Sequence, residues 1–312
     1  MDRFDELLAF VTAADAGSLS SAARRLGRSA PSVTRAVASL EARVGVELLR
    51  RTTRSLKLTE AGERYLTVAR RVLADIADAE TATSASVALP RGLLTLTAPV
   101  TFGTLHVRPV LGAYLARYPE VRARLLLLDR VVNVIDEGID VALRIAHLPD
   151  SALVAIPVGE VRRVVCASPA YLAKHGTPRD PAELGGHRCL AFTSVTPSDV
   201  WTFAGAAGAR PRRVRVLPVM AVNLAEAAIG AAVDGLGVTC VLSYQVAWAL
   251  RGGSLVAVLE RFAPAPLPVH LVYPAASAST AKVRTFLDTA TPALRAALGT
   301  DSDTRRGRRR KN

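Results

Sequence analysis

Cysteine is scarce: 312 residues contain three, Cys166, Cys189 and Cys240. They are too few and too scattered for a disulfide framework or a zinc cluster, so buried free thiols and a reducing, cytoplasmic setting are expected. Aromatic residues make up only 5%, so the cores must be meshed from small Ala, Val and Leu side chains. No long apolar run is uninterrupted. The best, residues 227–250, is broken by Asp234 and by Gly230, Gly235 and Gly237. An Asp at a bilayer centre costs about 3 kcal/mol, and the glycines read as a helix end followed by a strand, so no membrane span is expected. The start carries Asp2, Asp5 and Glu6 and lacks the basic-then-apolar profile of an export leader. The five histidines, His106, His147, His175, His187 and His270, show no metal-ligand spacing. There is no G-x-S-x-G and no phosphate loop, and Gly235-Leu236-Gly237 lacks the strand-then-helix context of a dinucleotide site. Hence neither an enzyme, a cofactor nor a metal is expected.

What is present is charge of one sign. Forty basic residues against 27 acidic give 40 − 27 = +13, which makes polyanions attractive partners. Between residues 24 and 57 stand nine cations (Arg24, Arg25, Arg28, Arg35, Arg43, Arg50, Arg51, Arg54, Lys57) against Glu41 and Glu47, a local +7. Half the residues are apolar, and the length suggests two or three globular domains at roughly 150 residues each.

Phe4, Leu7, Leu8 and Val11 fall on one helical stripe, which ends near Asp15-Ala16-Gly17. A second helix begins at Ser18-Leu19-Ser20, with Ser20 as its cap, and stops at Gly27. Ser29 caps a third, with Pro31 in its first turn, where a missing N–H is harmless, and with Val33, Val37 and Leu40 buried. Two short helices about a Gly-containing turn describe a helix-turn-helix, an outline that generic helical hairpins share. On the third helix's other face Ala30, Ser32, Thr34 and Arg35 are small or hydrogen-bonding, types that enter a major groove without collision. A merely solvated face is the alternative. Residues 48–58 read as two strands about a polar turn with Arg and Thr at its tip, a basic wing for phosphates or the minor groove. Double-stranded DNA is the expected partner. Thr59 then caps a helix to about residue 86. Tyr65, Ala69, Val72, Ile76, Ala79 and Thr83 step along it by 4, 3, 4, 3 and 4, a coiled-coil seam that suggests a homodimer. The alternative is a helix lying on its own second domain.

These residues carry a resemblance. Ala22-Ala23-Arg24-Arg25-Leu26, Ser29-Ala30-Pro31-Ser32-Val33-Thr34-Arg35, Leu40-Glu41, Gly45-Val46, Leu48-Leu49-Arg50-Arg51-Thr52 and Leu58-Thr59-Glu60-Ala61-Gly62 are similar, in order and spacing, to the N-terminal half of the LysR-type transcriptional regulators. The resemblance implies a groove-facing surface of Ala30, Pro31, Thr34 and Arg35, extended by Ser29 and Ser32, and wing contacts from Arg51 and Arg54. Ala30 stands where many members have Gln, so a bidentate adenine contact is lost there. Leu49 replaces a common Phe.

From residue 91 short apolar strands alternate with helices, an α/β layout. Strands are expected at 92–97, 121–128, 139–145, 162–167, 189–192, 214–219, 238–242 and 269–273, and helices at 101–115, 131–137 and 280–298. Residues 131–145 and Gly235-Leu236-Gly237-Val238 resemble the family's effector domain, itself related to type 2 periplasmic binding proteins. The resemblance thus implies an α/β chain: a winged helix-turn-helix (1–59), a dimerisation helix (60–90), and a two-subdomain effector domain (91–298). Subdomain I would be 91–161 plus 268–298 and subdomain II 162–267, followed by a disordered basic tail (299–312). It maps a pocket to Thr101, Asp129, Arg144, Thr193, Ser194 and Asn223, where Arg144 would clamp an organic anion. A structural ion pair of Arg144 with Asp140 or Asp129 is the rival role, as are helix caps for Thr101 and Asn223. The expected function is effector-modulated promoter binding by a dimer or tetramer, with RNA polymerase as a further candidate partner. A solute receptor without a DNA role and a nonspecific nucleoid-type protein are the alternatives.

Overall fold

The computed structural model describes residues 2–51, 56–84, 89–149, 151–194, 199–205 and 210–306. These divide into an N-terminal unit and a larger C-terminal unit.

In the N-terminal unit, α1 (Arg3–Ala16), α2 (Leu19–Leu26) and α3 (Ala30–Val44) form a three-helix cluster. Each is capped by a short polar side chain and closed by a left-handed glycine. Asp2 Oδ1 accepts the Phe4 N–H at 3.3 Å, Ser18 Oγ that of Ser21 at 3.4 Å, and Ser29 Oγ that of Ser32 at 3.4 Å. Gly17, Gly27 and Gly45 lie at φ 63°, 63° and 77°. The cap of α2 is therefore Ser18 and not Ser20. Ser18 has the extended backbone a cap needs, while Ser20 lies inside the first turn. Phe10, Ala22, Val33, Ala36, Val37 and Leu40 fill the centre, and the small alanines let the helices approach closely. The strands β1 (Leu49–Arg51) and β2 (Leu56–Leu58) pair antiparallel, Leu49 with Leu58, Arg50 with Lys57 and Arg51 with Leu56. The turn at 52–55, which includes Arg54, lies outside the described residues. Then α4 (Glu60–Ser84) starts where Thr59 Oγ1 accepts the Gly62 N–H at 2.9 Å.

The C-terminal unit carries β3 (Gly92–Ala98), α5 (Val100–Phe102), a π-type turn (Gly103–Val107) and α6 (Arg108–Arg117). The single helix expected at 101–115 is thus widened midway. Pro109 has no N–H to give residue 105, which loosens the preceding turn. Next come β4 (Val121–Leu127), β5 (Val141–Ile145) and β6 (Leu153–Val161), then β7 (Arg163–Ala167), α7 (Pro169–His175) and β8 (Cys189–Phe192). They are followed by β9 (Val200–Phe203), β10 (Arg212–Arg215), β11 (Pro218–Val222), α8 (Ala225–Val233), β12 (Val238–Leu242) and α9 (Ser243–Arg251). The last elements are β13 (Val256–Val258), β14 (Leu267–Pro274) and α10 (Ala281–Arg306). One five-stranded sheet runs β4-β3-β5-β14-β6, a second β11-β8-β12-β7-β13, and β9 and β10 form a separate hairpin. The first lobe draws strands from both ends of this unit, because β14 returns to lie between β5 and β6.

Three expectations change. Residues 131–137 are a turn, not a helix. Val132 and Val134 are buried and Val131 is exposed, a two-residue alternation that β-branched side chains favour over helix. The run 214–219 is divided between β10 and β11, which belong to different sheets. And α10 continues to Arg306 past the expected end at 298; residues 307–312 lie outside the described residues. All three cysteines are free and buried, as expected. Among the described residues no helix is long and apolar enough to cross a membrane. No group of three or more His, Cys, Asp or Glu side chains among them could hold a metal ion.

Candidate functional site

Two regions concentrate the predicted residues. The first is the start of α3. Ser29, Pro31 and Arg35 are exposed there, and Ala30, Ser32 and Thr34 are half-buried. The Ala30 methyl leans on the helical core and the Ser29 hydroxyl is engaged as the cap. Arg35 forms no ion pair with any described residue. Other cations of the unit are committed internally: Arg28 to Asp5 at 2.5 Å, and Arg43 to Glu6 at 2.7 Å. Glu6, 4% exposed, also accepts the Ser39 hydroxyl at 2.5 Å. These bonds fasten α3 to α1 and set which way its polar face turns.

The wing is held by a carboxylate. Glu41 Oε1 accepts the N–H groups of Leu48 and Leu49 at 2.8 and 2.9 Å, joining the end of α3 to β1. Gly62 completes the junction, since a Cβ there would collide with the Leu48 carbonyl oxygen. Exposed Arg50 stands directly across from exposed Lys57. Like charges so paired repel, so the wing carries a cost that a polyanion would relieve. Sequence reasoning counted both cations but assigned no site role to them; strand alternation about buried Leu49 was the available signal. Arg51 sits opposite Leu56 in the register.

The second region lies at strand ends of the C-terminal unit. Asp129, just past β4, accepts the Val100 N–H at 3.1 Å, at the start of α5. Thr101 is nearly buried, and its hydroxyl donates to Glu226 Oε1 on α8 at 2.7 Å. Thr101 therefore caps nothing; the residue before α5 is Pro99. Burial pushes the Asp129 carboxyl up, the Glu226 charge adds to this, and the Val100 N–H opposes it. Beside them Tyr244, on α9, meets Phe102 edge-on at 5.1 Å. Burial first, then the charges of Asp129 and Glu226, push its phenol up.

Thr193 and Ser194 gather at a neighbouring corner, where their hydroxyls donate to Val222 O at 3.2 Å and Asn223 O at 3.3 Å. Asn223 is exposed and does not cap α8, whose preceding residue is Leu224 with no side-chain cap. Arg144 Nη2 donates to Val132 O at 2.5 Å, tying the turn at 131–138 to β5. Asp140 accepts the Thr95 N–H at 2.7 Å and lies 3.6 Å from buried Lys282. Glu226 and Tyr244 are the members of this region that sequence reading missed; no local pattern marks either.

Residues 4–63 match the model of the bacterial regulatory helix-turn-helix proteins of the lysR family, and residues 88–295 that of the LysR substrate binding domain. The HTH-type transcriptional regulator CrgA of Neisseria meningitidis is 35% identical over 285 residues, 91% of this chain and 94% of that protein. Its solved structure, at 34% identity, covers 93% of this chain and 98% of that one with a TM-score of 0.60. The full-length structure of the Vibrio cholerae virulence activator AphB is 26% identical, covers 93% and 98%, and has a TM-score of 0.60.

Proposed function

Since this chain belongs to the LysR family of bacterial helix-turn-helix transcriptional regulators, we propose that its promoter reading is done from the first two turns of α3, by Ser29, Ala30, Pro31, Ser32, Thr34 and Arg35. The protein is a DNA-binding transcriptional regulator with an effector-binding domain, and our reading takes it to work as an oligomer. The observation that carries the site is Arg35: exposed, unpaired among the described residues, and on the polar face of a helix clamped to α1. Arg50, Arg51, Arg54 and Lys57 supply the sequence-independent share of affinity through the phosphates. This role accounts for the chain without an enzymatic activity.

The working boundaries are 1–59 for DNA binding, 60–90 for the connecting helix and 91–298 for the effector domain. Its effector lies among Thr101, Asp129, Thr193, Ser194 and Asn223, at strand ends, where open α/β sheets bind ligands. Arg144 is the weakest member, since its guanidinium serves the Val132 carbonyl. An organic acid is a poor fit, because Asp129 and Glu226 would repel it. Effector binding shifts promoter affinity only by its differential affinity for the two states of the protein. A cytoplasmic location fits a promoter-bound role, and RNA polymerase is a candidate partner there.

Footprinting of the purified protein on genomic promoters, with competitor DNA, tests the reading. Arg35→Ala is expected to lose operator preference by about 1–3 kcal/mol while keeping nonspecific affinity. Equal weakening on every sequence would reduce Arg35 to a phosphate contact, and a wild-type footprint that competitor erases would favour a nucleoid-type protein.

A further inference from the structure

The corner of Thr101, Asp129, Glu226 and Tyr244 holds two carboxylates that no described residue meets in an ion pair. Asp129 accepts the Val100 N–H and Glu226 the Thr101 hydroxyl; among the described residues neither is in an ion pair. A carboxylate has about four acceptor positions, so both keep unused capacity. The third oxygen belongs to Tyr244, which is 3% exposed and whose buried hydroxyl has no hydrogen-bond partner. Both carboxylates act on that hydroxyl, and the Gln245 side chain acts on it in the opposite sense. Its ring is wedged edge-on between Phe102 at 5.1 Å and His106 at 5.9 Å, which prevents the hydroxyl from swinging out to water.

We propose that the effector of this chain is a cation, a small molecule whose ammonium group donates its N–H bonds to Asp129, Glu226 and the Tyr244 hydroxyl. This rests on the effector-responsive reading above and names its ligand class. Three oxygens on three residues match the three donors of a primary ammonium. A carboxylate ligand would meet two like charges, half-buried Asp129 and exposed Glu226, with the repulsion strongest at the more buried of the two. A divalent metal is the poorer occupant, because the described residues hold no group of three or more His, Cys, Asp or Glu side chains for it. Glu226 reaches the corner from α8 of the second lobe, while Asp129 and Thr101 belong to the first. An ammonium that recruits Glu226 competes with the Thr101 hydroxyl, so occupancy alters a contact between the lobes.

The test is thermal unfolding of the full-length protein with propylammonium and benzylammonium, set against propionate and benzoate of matching size. The ammonium ions are expected to raise Tm and to bind at least about tenfold more tightly than the carboxylates. Glu226→Gln and Asp129→Asn keep an oxygen for the Thr101 and Val100 bonds and remove the charge; each should weaken ammonium binding by about tenfold. Tyr244→Phe should weaken it too while raising the Tm of the unliganded protein. The proposal is overturned if the carboxylates bind as well, if the charge-removing variants bind ammonium normally, or if no probe moves Tm. A wild-type promoter footprint run in parallel separates the failures. With the footprint intact only the cationic ligand is rejected; without it the regulator reading fails as well.

Discussion

Glu6 illustrates how one side chain sets the geometry of the DNA-facing surface. Its carboxyl is held below the ordinary glutamate value, first by the Ser39 hydroxyl and then by the Arg43 guanidinium, against the opposing effect of burial. A group whose folded-state value is depressed contributes stability above its unfolded value and loses it as pH falls through the depressed one. The N-terminal unit is therefore expected to weaken as pH drops below about 4.5. Unfolding followed by denaturant across that range checks this, with Glu6→Gln flattening the decline. The three thiols make an opposite case. Burial pushes Cys166 and Cys240 up to about 12 and Cys189 to about 11, and thiolate is the reactive form. A thiol reagent should label none of them in the native protein at neutral pH and all three after unfolding; rapid native labelling would contradict the buried placement. Cysteine scarcity was plain from the sequence, but only the packed sheets show that each thiol is inert.

At the scale of elements, the helix-turn-helix was the most legible part. Ser29, Gly27 and Gly45 act on backbone groups within four residues, so their signals are local and readable without a fold. The Ser20 reading failed by two residues because Ser18 and Ser20 are chemically equivalent caps; the backbone angle at 18 decides between them. The wing adds a prediction. Lys57→Gln should relieve the repulsion with Arg50 and leave the fold at least as stable. The same change should reduce the slope of log affinity against log salt by about one unit, as expected for one phosphate contact. Salt titrations of DNA binding measure it, and an unchanged slope would remove Lys57 from the interface. Residues 131–137 were misread because their apolar spacing fits a helix, whereas burial of Val132 and Val134 follows from what β5 and β14 place beside them.

For the whole molecule, copies of the chain are expected to pair through the long helix α4. Its expected seam is partly taken by its own domain: Tyr65 meets Phe10 edge-on at 5.7 Å and Ala69 is buried in the helical core. What stays open is Val68, Val72 and Ile76, 55%, 40% and 37% exposed, spaced one helical turn apart. Ala79, further along the seam, has no described side chain. Val72→Asp with Ile76→Asp is expected to convert the oligomer toward monomer in sedimentation. Operator affinity should fall at least tenfold, because a second half-site is no longer held by the same particle. Retained oligomers with unchanged affinity would place the association elsewhere.

Sequence alone determined what depends on neighbours in the chain: the helix-turn-helix with most of its caps, the basic wing and the α/β alternation. It also carried the family resemblance, because those motif residues keep fixed spacings. Only tertiary structure decided what depends on residues far apart. Thr101 and Glu226 are 125 positions apart, Ser39 and Glu6 33 apart, and β14 enters the first lobe from the far end of the unit. The physical reason is that hydrogen bonding and charge act over a few ångströms of space. A chain's own order records such distances only where folding keeps neighbours together.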